Sequence, residues 1–339
     1  MGSDGLPPPP SICLDAATAD RVAAELAVLA TDSCTRRQKK SVEFEQSDEL
    51  EAEDQERLEE ELTEEEELMT NLVDCTGYLL KCLRQPNGAV TTFDRHVAPL
   101  YGQFLNPAAP ATLRHNAICL YDDMLEFGGA SSMKYLNTLA PLLVSGLDAE
   151  EAWERQACVY GIMQMAKHLP QAFAQVYSTV TPKLIAMVNH PEAREDENTL
   201  VTENCISTLG AIARTPAAAP AEAAQLLQLW LAKLPLRDDA VEAKLVHKQL
   251  CELVETSHPA ITGNDFEQLP KVLAVFAQIL ESIEAHKVGE EDSLIDAPTR
   301  DRIVAIVRQF QTQLPGPRLA SAWSSLTQPM QQAVEKALS

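Results

Sequence analysis

Glycine is scarce in this sequence, with 13 in 339 residues, roughly half the usual share. That disfavours Gly-rich phosphate loops and many-turned β-sandwiches. Aromatic residues are only 5% of the chain, also too few for an ordinary all-β domain. Cations are outnumbered: 27 Lys and Arg face 50 Asp and Glu, for a formal net charge of −23. A direct nucleic-acid binder needs clustered cations to displace counterions, and anionic lipid attracts the same groups. Both partners are therefore disfavoured. No apolar run approaches the ~20 residues that span a bilayer. Residues 1–11 hold no Lys or Arg and no hydrophobic stretch, so neither a signal peptide nor a transit peptide is expected there. The eight cysteines form no C-x-x-C pair, and no Cys/His group has zinc spacing. Reduced thiols on helices, in cytosol or nucleus, are the expectation. The seven histidines lie far apart, and HExxH, GxSxG, Walker A and GxGxxG are all missing. We expect no catalytic site, no metal and no cofactor.

What is present is helical. The apolar share is 45%, mostly Ala and Leu, which favour helix. Cys158, Ile162, Met165 and Leu169 form one apolar stripe. Val201, Cys205, Leu209 and Ile212 form a second, and Leu113, Ala117, Leu120 and Met124 a third. Alternation of period two is sustained nowhere. A proline recurs in similar apolar settings at Pro99, Pro141, Pro182 and Pro270, with spacings of 42, 41 and 88 residues. Arg114-His115-Asn116-Ala117 and Arg155-Gln156-Ala157-Cys158 stand 41 apart. A period in the low forties with two amphipathic helices per unit marks HEAT or armadillo arrays. The expected fold is all-α, an α-solenoid (superhelix) of HEAT repeats with about six helical pairs. The pairs are placed at 54–107, 111–148, 151–192, 197–235, 239–284 and 293–338, with a partial helix at 15–35. Turns are expected at Asn87-Gly88, Gly128-Gly129, His190-Pro191, Ala260 to Asn264 and Leu314 to Pro317. Each proline would sit in a first turn or kink its helix. Neighbouring pairs must stack to bury their faces, which predicts a curved rod without a preformed pocket. A missing partner for the first helix suggests a piece of something longer.

Charge is distributed unevenly. Residues 43–67 contain 15 acidic residues and one basic one, Arg57. Just before them lies Arg36-Arg37-Gln38-Lys39-Lys40, read either as a targeting-like signal or as a solvated run. The division expected is a Pro-rich disordered leader at 1–14, a partial repeat helix at 15–41, an acidic loop or tract at 42–67 and a solenoid at 68–339. From Asp54 onward the leucines are spaced for a helix that continues past the tract. Candidate protein-binding residues are Glu59, Glu60, Glu61, Glu64, Glu65, Glu66, Glu67, Asp122, Asp123, Glu203 and Asn204. Asp122 and Asp123 point about 100° apart on a helix, so they do not converge as a catalytic pair. Thr202-Glu203-Asn204 reads as helix-start polarity, as an inter-repeat contact or as a partner contact. Trp153, Trp230 and Trp323 read as core or as interface anchors.

Residues 114–126, from Arg114-His115-Asn116-Ala117 through Tyr121-Asp122-Asp123-Met124 to Glu126, resemble a repeat helix of the importin-β (karyopherin-β) nuclear transport receptors, in the importin-five branch. Further stretches match in the same order. They include Met133-Lys134-Tyr135, Glu154-Arg155-Gln156-Ala157, Val201 to Gly210, Leu229 to Leu236, Leu250 to Pro259 and Val304 to Thr312. The resemblance covers most of 36–338 and corresponds to the C-terminal third of such a receptor. The acidic tract lies where that branch has an acidic interruption. The resemblance implies protein import into the nucleus, with basic cargo proteins, Ran GTPase and nucleoporin Phe-Gly repeats as partners. It implies residence in cytoplasm, nucleus and nuclear pore. A HEAT-repeat scaffold outside nuclear transport is the alternative that the residues leave open.

Overall fold

The computed structural model describes residues 14–45, 52–83, 88–282, 293–314 and 316–339, and these are helical, with no strand among them. The Pro-rich leader up to residue 13, the acidic stretch 46–51, Asn87 and Pro315 lie outside the described residues. The chain divides into two compact units, residues 1–169 and 170–339.

In the first unit α1 (Ala16–Glu45) packs along α2 (Ala52–Cys82). Then come α3 (Gly88–Thr92), a π turn at Phe93–Val97 and α4 (Ala98–Tyr101). After them follow α5 (Ala111–Gly128), α6 (Leu136–Gly146) and α7 (Ala152–His168). Helix α5 lies between α2 and α7, and α6 packs on α7. Phe93 is wholly buried and meets Tyr121 edge-on at 4.8 Å and Tyr135 at 5.3 Å. That aromatic cluster ties the π turn to α5.

The second unit holds α8 (Pro170–Val188), α9 (Asp196–Ile212), α10 (Pro220–Lys233), α11 (Ala240–Glu255), α12 (Pro259–Thr262), α13 (Leu269–Ser282), α14 (Ala297–Gln313), α15 (Gly316–Ser324) and α16 (Gln328–Leu338). Helix α9 contacts α8, α10 and α11; α11 contacts α14; α13 receives α15 and α16. His247 of α11 is fully buried: the backbone N–H of Leu236 donates to its Nε2 at 3.2 Å, and Nδ1 lies 3.0 Å from the Leu294 carbonyl. The neutral tautomer with hydrogen on Nδ1 satisfies both bonds.

All twelve residues of the three apolar stripes are buried. The periodicity therefore reports core faces, since burying ~4 side chains per helix face supplies the packing free energy. Pro99 and Pro270 occupy first turns, where a missing N–H costs nothing. Pro141 and Pro182 sit inside α6 and α8. One local reading is corrected. Ala260 to Asn264 is not simply a turn: α12 fills Pro259–Thr262, with proline at its start and Gly263 at φ +70° closing it. Of the two readings of the acidic tract, loop or helix from Asp54 onward, the described part is helix: α2 runs unbroken through residue 67, because Glu is a good helix former and Leu58, Met69, Leu72 and Val73 bury one face. The expected pocket-free surface is also corrected, as described next.

Candidate protein-binding surface

Helix α2 carries seven of the eleven candidates. The stripe Leu58, Glu65, Met69, Leu72 and Thr76 faces inward. Glu65 is thus an acid at a core position, 6% exposed. It survives there because α1 supplies matching donors. Ser33 Oγ donates to it at 2.8 Å, Arg36 Nη2 at 2.9 Å, and Lys40 Nζ stands 3.7 Å away. The Arg36 bonds outweigh burial and hold the carboxyl below its ordinary pKa. Arg37 pairs with Glu66 and also donates to Thr112 Oγ1 at 2.9 Å, and Lys40 reaches Glu61 at 3.3 Å. The basic run is therefore not a solvated segment: Arg36, Arg37 and Lys40 lie zipped onto the acid helix. Glu59, Glu60, Glu64 and Glu67 are exposed and have no ion pair among the described residues.

Asp122 and Asp123 go to opposite flanks of α5. A methyl group added at Gly161 of α7 would collide with the Asp122 carboxyl, and one at Gly77 of α2 with that of Asp123. Each acid fills a notch left by a glycine. Asp122 is 1% exposed and both its oxygens lack a hydrogen-bond partner. Burial, then the neighbouring Asp123, raises its pKa well above the carboxylate range. Burial and Glu126 push Asp123 up to about 7 against the pull of Lys81.

Glu203 and Asn204 sit beyond the first turn of α9, which starts at Asp196, so they are not helix-start residues. Glu203 is wholly buried and accepts the backbone N–H groups of Arg237 at 2.7 Å, Asp238 at 3.1 Å and Asp239 at 2.8 Å. Arg194 pairs with it at 3.0 Å. Asn204 donates to Asp239 at 2.8 Å, and Asp239 caps α11. These two residues anchor the entry to α11 on α9, an inter-repeat contact. Arg114 of α5 and Glu154 of α7 make the comparable bond, at 2.7 Å, in the first unit.

A cavity of about 210 Å³ opens where α1, α2, α5 and α7 meet. Arg37, Glu66, Met69, Asn116 and Trp153 are among its walls. His115 stands edge-on to Trp153 at 5.0 Å. The candidate set contains only Glu66 from this cavity. The sequence did flag 114–117 as a repeat marker, but not that His115 packs against Trp153 or that His115 and Asn116 line this cavity. Trp230 is core, against Gly210, while Trp153 and Trp323 are partly exposed.

No family model matches the chain. It is 26% identical over 186 residues to a probable importin-5 homolog of Dictyostelium discoideum, covering 53% of this chain and 17% of the relative. It is 22% identical over 210 residues to importin subunit beta-3 of Saccharomyces cerevisiae, covering 62% and 19%. The chain thus spans under a fifth of these relatives. Among solved structures, the karyopherin Kap121p bound to the SUMO protease Ulp1p superposes with a TM-score of 0.69 at 18% identity, over 96% of this chain and 27% of that one. Kap121p bound to RanGTP gives 0.62 at 19% identity, over 83% and 24%. Kap121p bound to Nup53p gives 0.61 at 18%, over 92% and 26%. The fold is the helical solenoid of these karyopherins. The chain is thus similar in sequence to stretches of two importins and in fold to Kap121p.

Proposed function

We propose that this chain is part of a nuclear transport receptor of the importin-β type, serving protein import between cytoplasm and nucleus through the nuclear pore. The observation that carries the reading is the Kap121p-like fold over nearly the whole chain, joined to sequence likeness to two importins. Basic cargo meets the uncovered carboxylates Glu59, Glu60, Glu64 and Glu67, whose field steers cations. Glu61 and Glu66 contribute their exposed edges. Asp122, Glu203 and Asn204 act from the interior, by fixing helix against helix. Nucleoporin Phe-Gly repeats dock on apolar side chains of the packed pair α9 and α11. There Leu200, Val241 and Leu245 are 42%, 70% and 45% exposed. Kap121p has been solved with RanGTP and with Nup53p, which supports Ran and nucleoporins as partners here. Binding, not turnover, is the activity.

The test is capture of this chain on immobilised RanGTP, on Phe-Gly repeats and on a lysine-rich peptide. Retention on the Phe-Gly and lysine-rich resins is expected. Retention on none of the three would sink the transport reading and leave the scaffold alternative.

A further inference from the structure

In a chain of net charge −23, cations with no acid beside them stand out. Arg237 and Lys271 of the second unit are two such, without an ion pair among the described residues. Arg237 is exposed, and its Nη2 donates to Gln278 Oε1 of α13 at 3.2 Å. Lys271 stands seven residues before Gln278 on that helix, two turns or about 10 Å away, and so on the same face. Both cations therefore lie along one face of α13. Burial disfavours the charge on Lys271, and repulsion from Arg237 adds to it. The acids near them in sequence are committed elsewhere. Glu203 takes Arg194 and the backbone N–H groups of Arg237, Asp238 and Asp239. Asp238 accepts from Thr199 of α9 at 3.3 Å, and Asp239 caps α11. Glu267, one turn before Lys271, crosses Gly263 so closely that a methyl group there would strike it. Two like charges on one helix face cost free energy that a bridging anion offsets.

From this geometry we propose that Arg237 and Lys271, with Gln278 orienting the guanidinium, form a receptor site for a carboxylate side chain, Asp or Glu, of an acidic partner segment. The proposal goes beyond the transport reading and does not depend on it. The remaining N–H groups of Arg237 and the ammonium of Lys271 donate to the two carboxylate oxygens. A carboxylate fits better than a phosphate. Phosphate sites draw on backbone N–H groups, and those of residues 237–239 all go to Glu203. The exposed Asp238 beside Arg237 also repels a dianion more than a monoanion. The second unit thereby accepts a partner of the charge that the acid helix α2 repels.

The test titrates a fluorescein-labelled peptide, with a Glu-Glu pair in a Gly-Ser frame, with the full chain. Anisotropy is read at 0.1 M salt, where repulsion from distant carboxylates is screened over about 10 Å. Arg237→Gln and Lys271→Gln are each expected to weaken binding about 10-fold, and Lys271→Arg to keep it within about 3-fold. Lys271→Glu should abolish it. None of these replaces a core side chain, and circular dichroism should show wild-type helicity in each. A peptide with Gln-Gln in place of Glu-Glu should not bind, and one with phosphoserine should bind more weakly. Equal affinity for wild type and Lys271→Glu, equal affinity for the Gln-Gln peptide, or no binding by wild type would overturn the site. Tighter binding of the phosphoserine peptide would overturn its assignment to carboxylate. Binding that appears only when Glu290, Glu291 and Asp292 are all replaced by Gln would overturn the partner, since the chain's own carboxylates would then compete for the site. Capture on RanGTP or Phe-Gly repeats is read separately and bears only on the transport reading.

Discussion

Asp122 and Asp123 are separated by one peptide bond, and the ~100° step of the helix sends one to each neighbour of α5. Burial disfavours the charged form of both. For Asp123 the folded pKa is about 7 against an ordinary 3.8, with burial as the main cause. A raised folded pKa means that the contribution is complete below the unfolded value and is lost as pH rises through about 7. Asp74 and Lys81 of α2 and Glu126 of α5 face the same group and set its midpoint. Urea midpoints measured between pH 4 and 8 should therefore fall in wild type, and Asp123→Asn should flatten that fall by at most roughly 4 kcal/mol. His247 has the opposite sign. Its folded pKa is lowered to about 4 by burial, so stability drains as pH falls from the ordinary 6.5 towards 4. About 3 kcal/mol is at stake. His247→Gln should remove the acid-side loss, read as a pH-independent midpoint between 4 and 6.5 in the second unit. Neither acid nor imidazole announced its burial in the sequence. Asp122-Asp123 read as partner-facing or as intra-repeat hydrogen-bonding residues, and their burial was not legible because the notches that receive them, Gly161 and Gly77, lie on other helices.

The element most legible from sequence is the helix with a clean apolar stripe; the least legible is α2. The spacing of Leu58, Leu62 and Leu68 gave the helix, although of these only Leu58 is buried and the inward face is completed by Met69, Leu72 and Val73. What the run of glutamates hid is that they divide by face. Glu61, Glu65 and Glu66 turn to α1, while Glu59, Glu60, Glu64 and Glu67 turn away. Only the position of α1 decides this, and that position is tertiary. Helix α1 itself buries mostly small residues, Ala19, Ala23, Ala30 and Ser33, while Val28 and Leu29 are about half exposed. Its grip on α2 is therefore unusually electrostatic. Glu65→Gln should cost about 1–2 kcal/mol, because it weakens the charged hydrogen bonds from Arg36 while leaving that half-exposed guanidinium solvated. Glu64→Gln should stay within about 0.5 kcal/mol. The same logic predicts that amide exchange in α1 quickens in Glu65→Gln while α5 and α7 are unchanged. Protection of α1 identical to wild type would mean that its alanine contacts suffice without the ion pairs.

At the scale of the whole molecule, charge and fold do different jobs. The solenoid class requires only stacked amphipathic helices, and a chain of net charge near zero could build it. The excess of −23 is therefore available for association, and 15 of the 50 acidic residues fall within residues 43–67. A field of that kind acts at a distance before contact and is screened over about 10 Å at 0.1 M salt, or about 3 Å at 1 M. Contacts between buried groups are screened far less. Association and dissociation should thus respond differently. In stopped-flow measurements with a lysine-rich peptide, the association rate should fall at least about 10-fold between 0.1 M and 1 M salt, with little change in dissociation. Neutralising Glu59, Glu60, Glu64 and Glu67 together to Gln should remove most of that salt slope. The same variant should leave helicity intact, since Gln is nearly as good a helix former as Glu. If the quadruple variant keeps the wild-type slope, the attraction comes from carboxylates elsewhere in the chain, and α2 is an insertion that keeps the array soluble without receiving cargo.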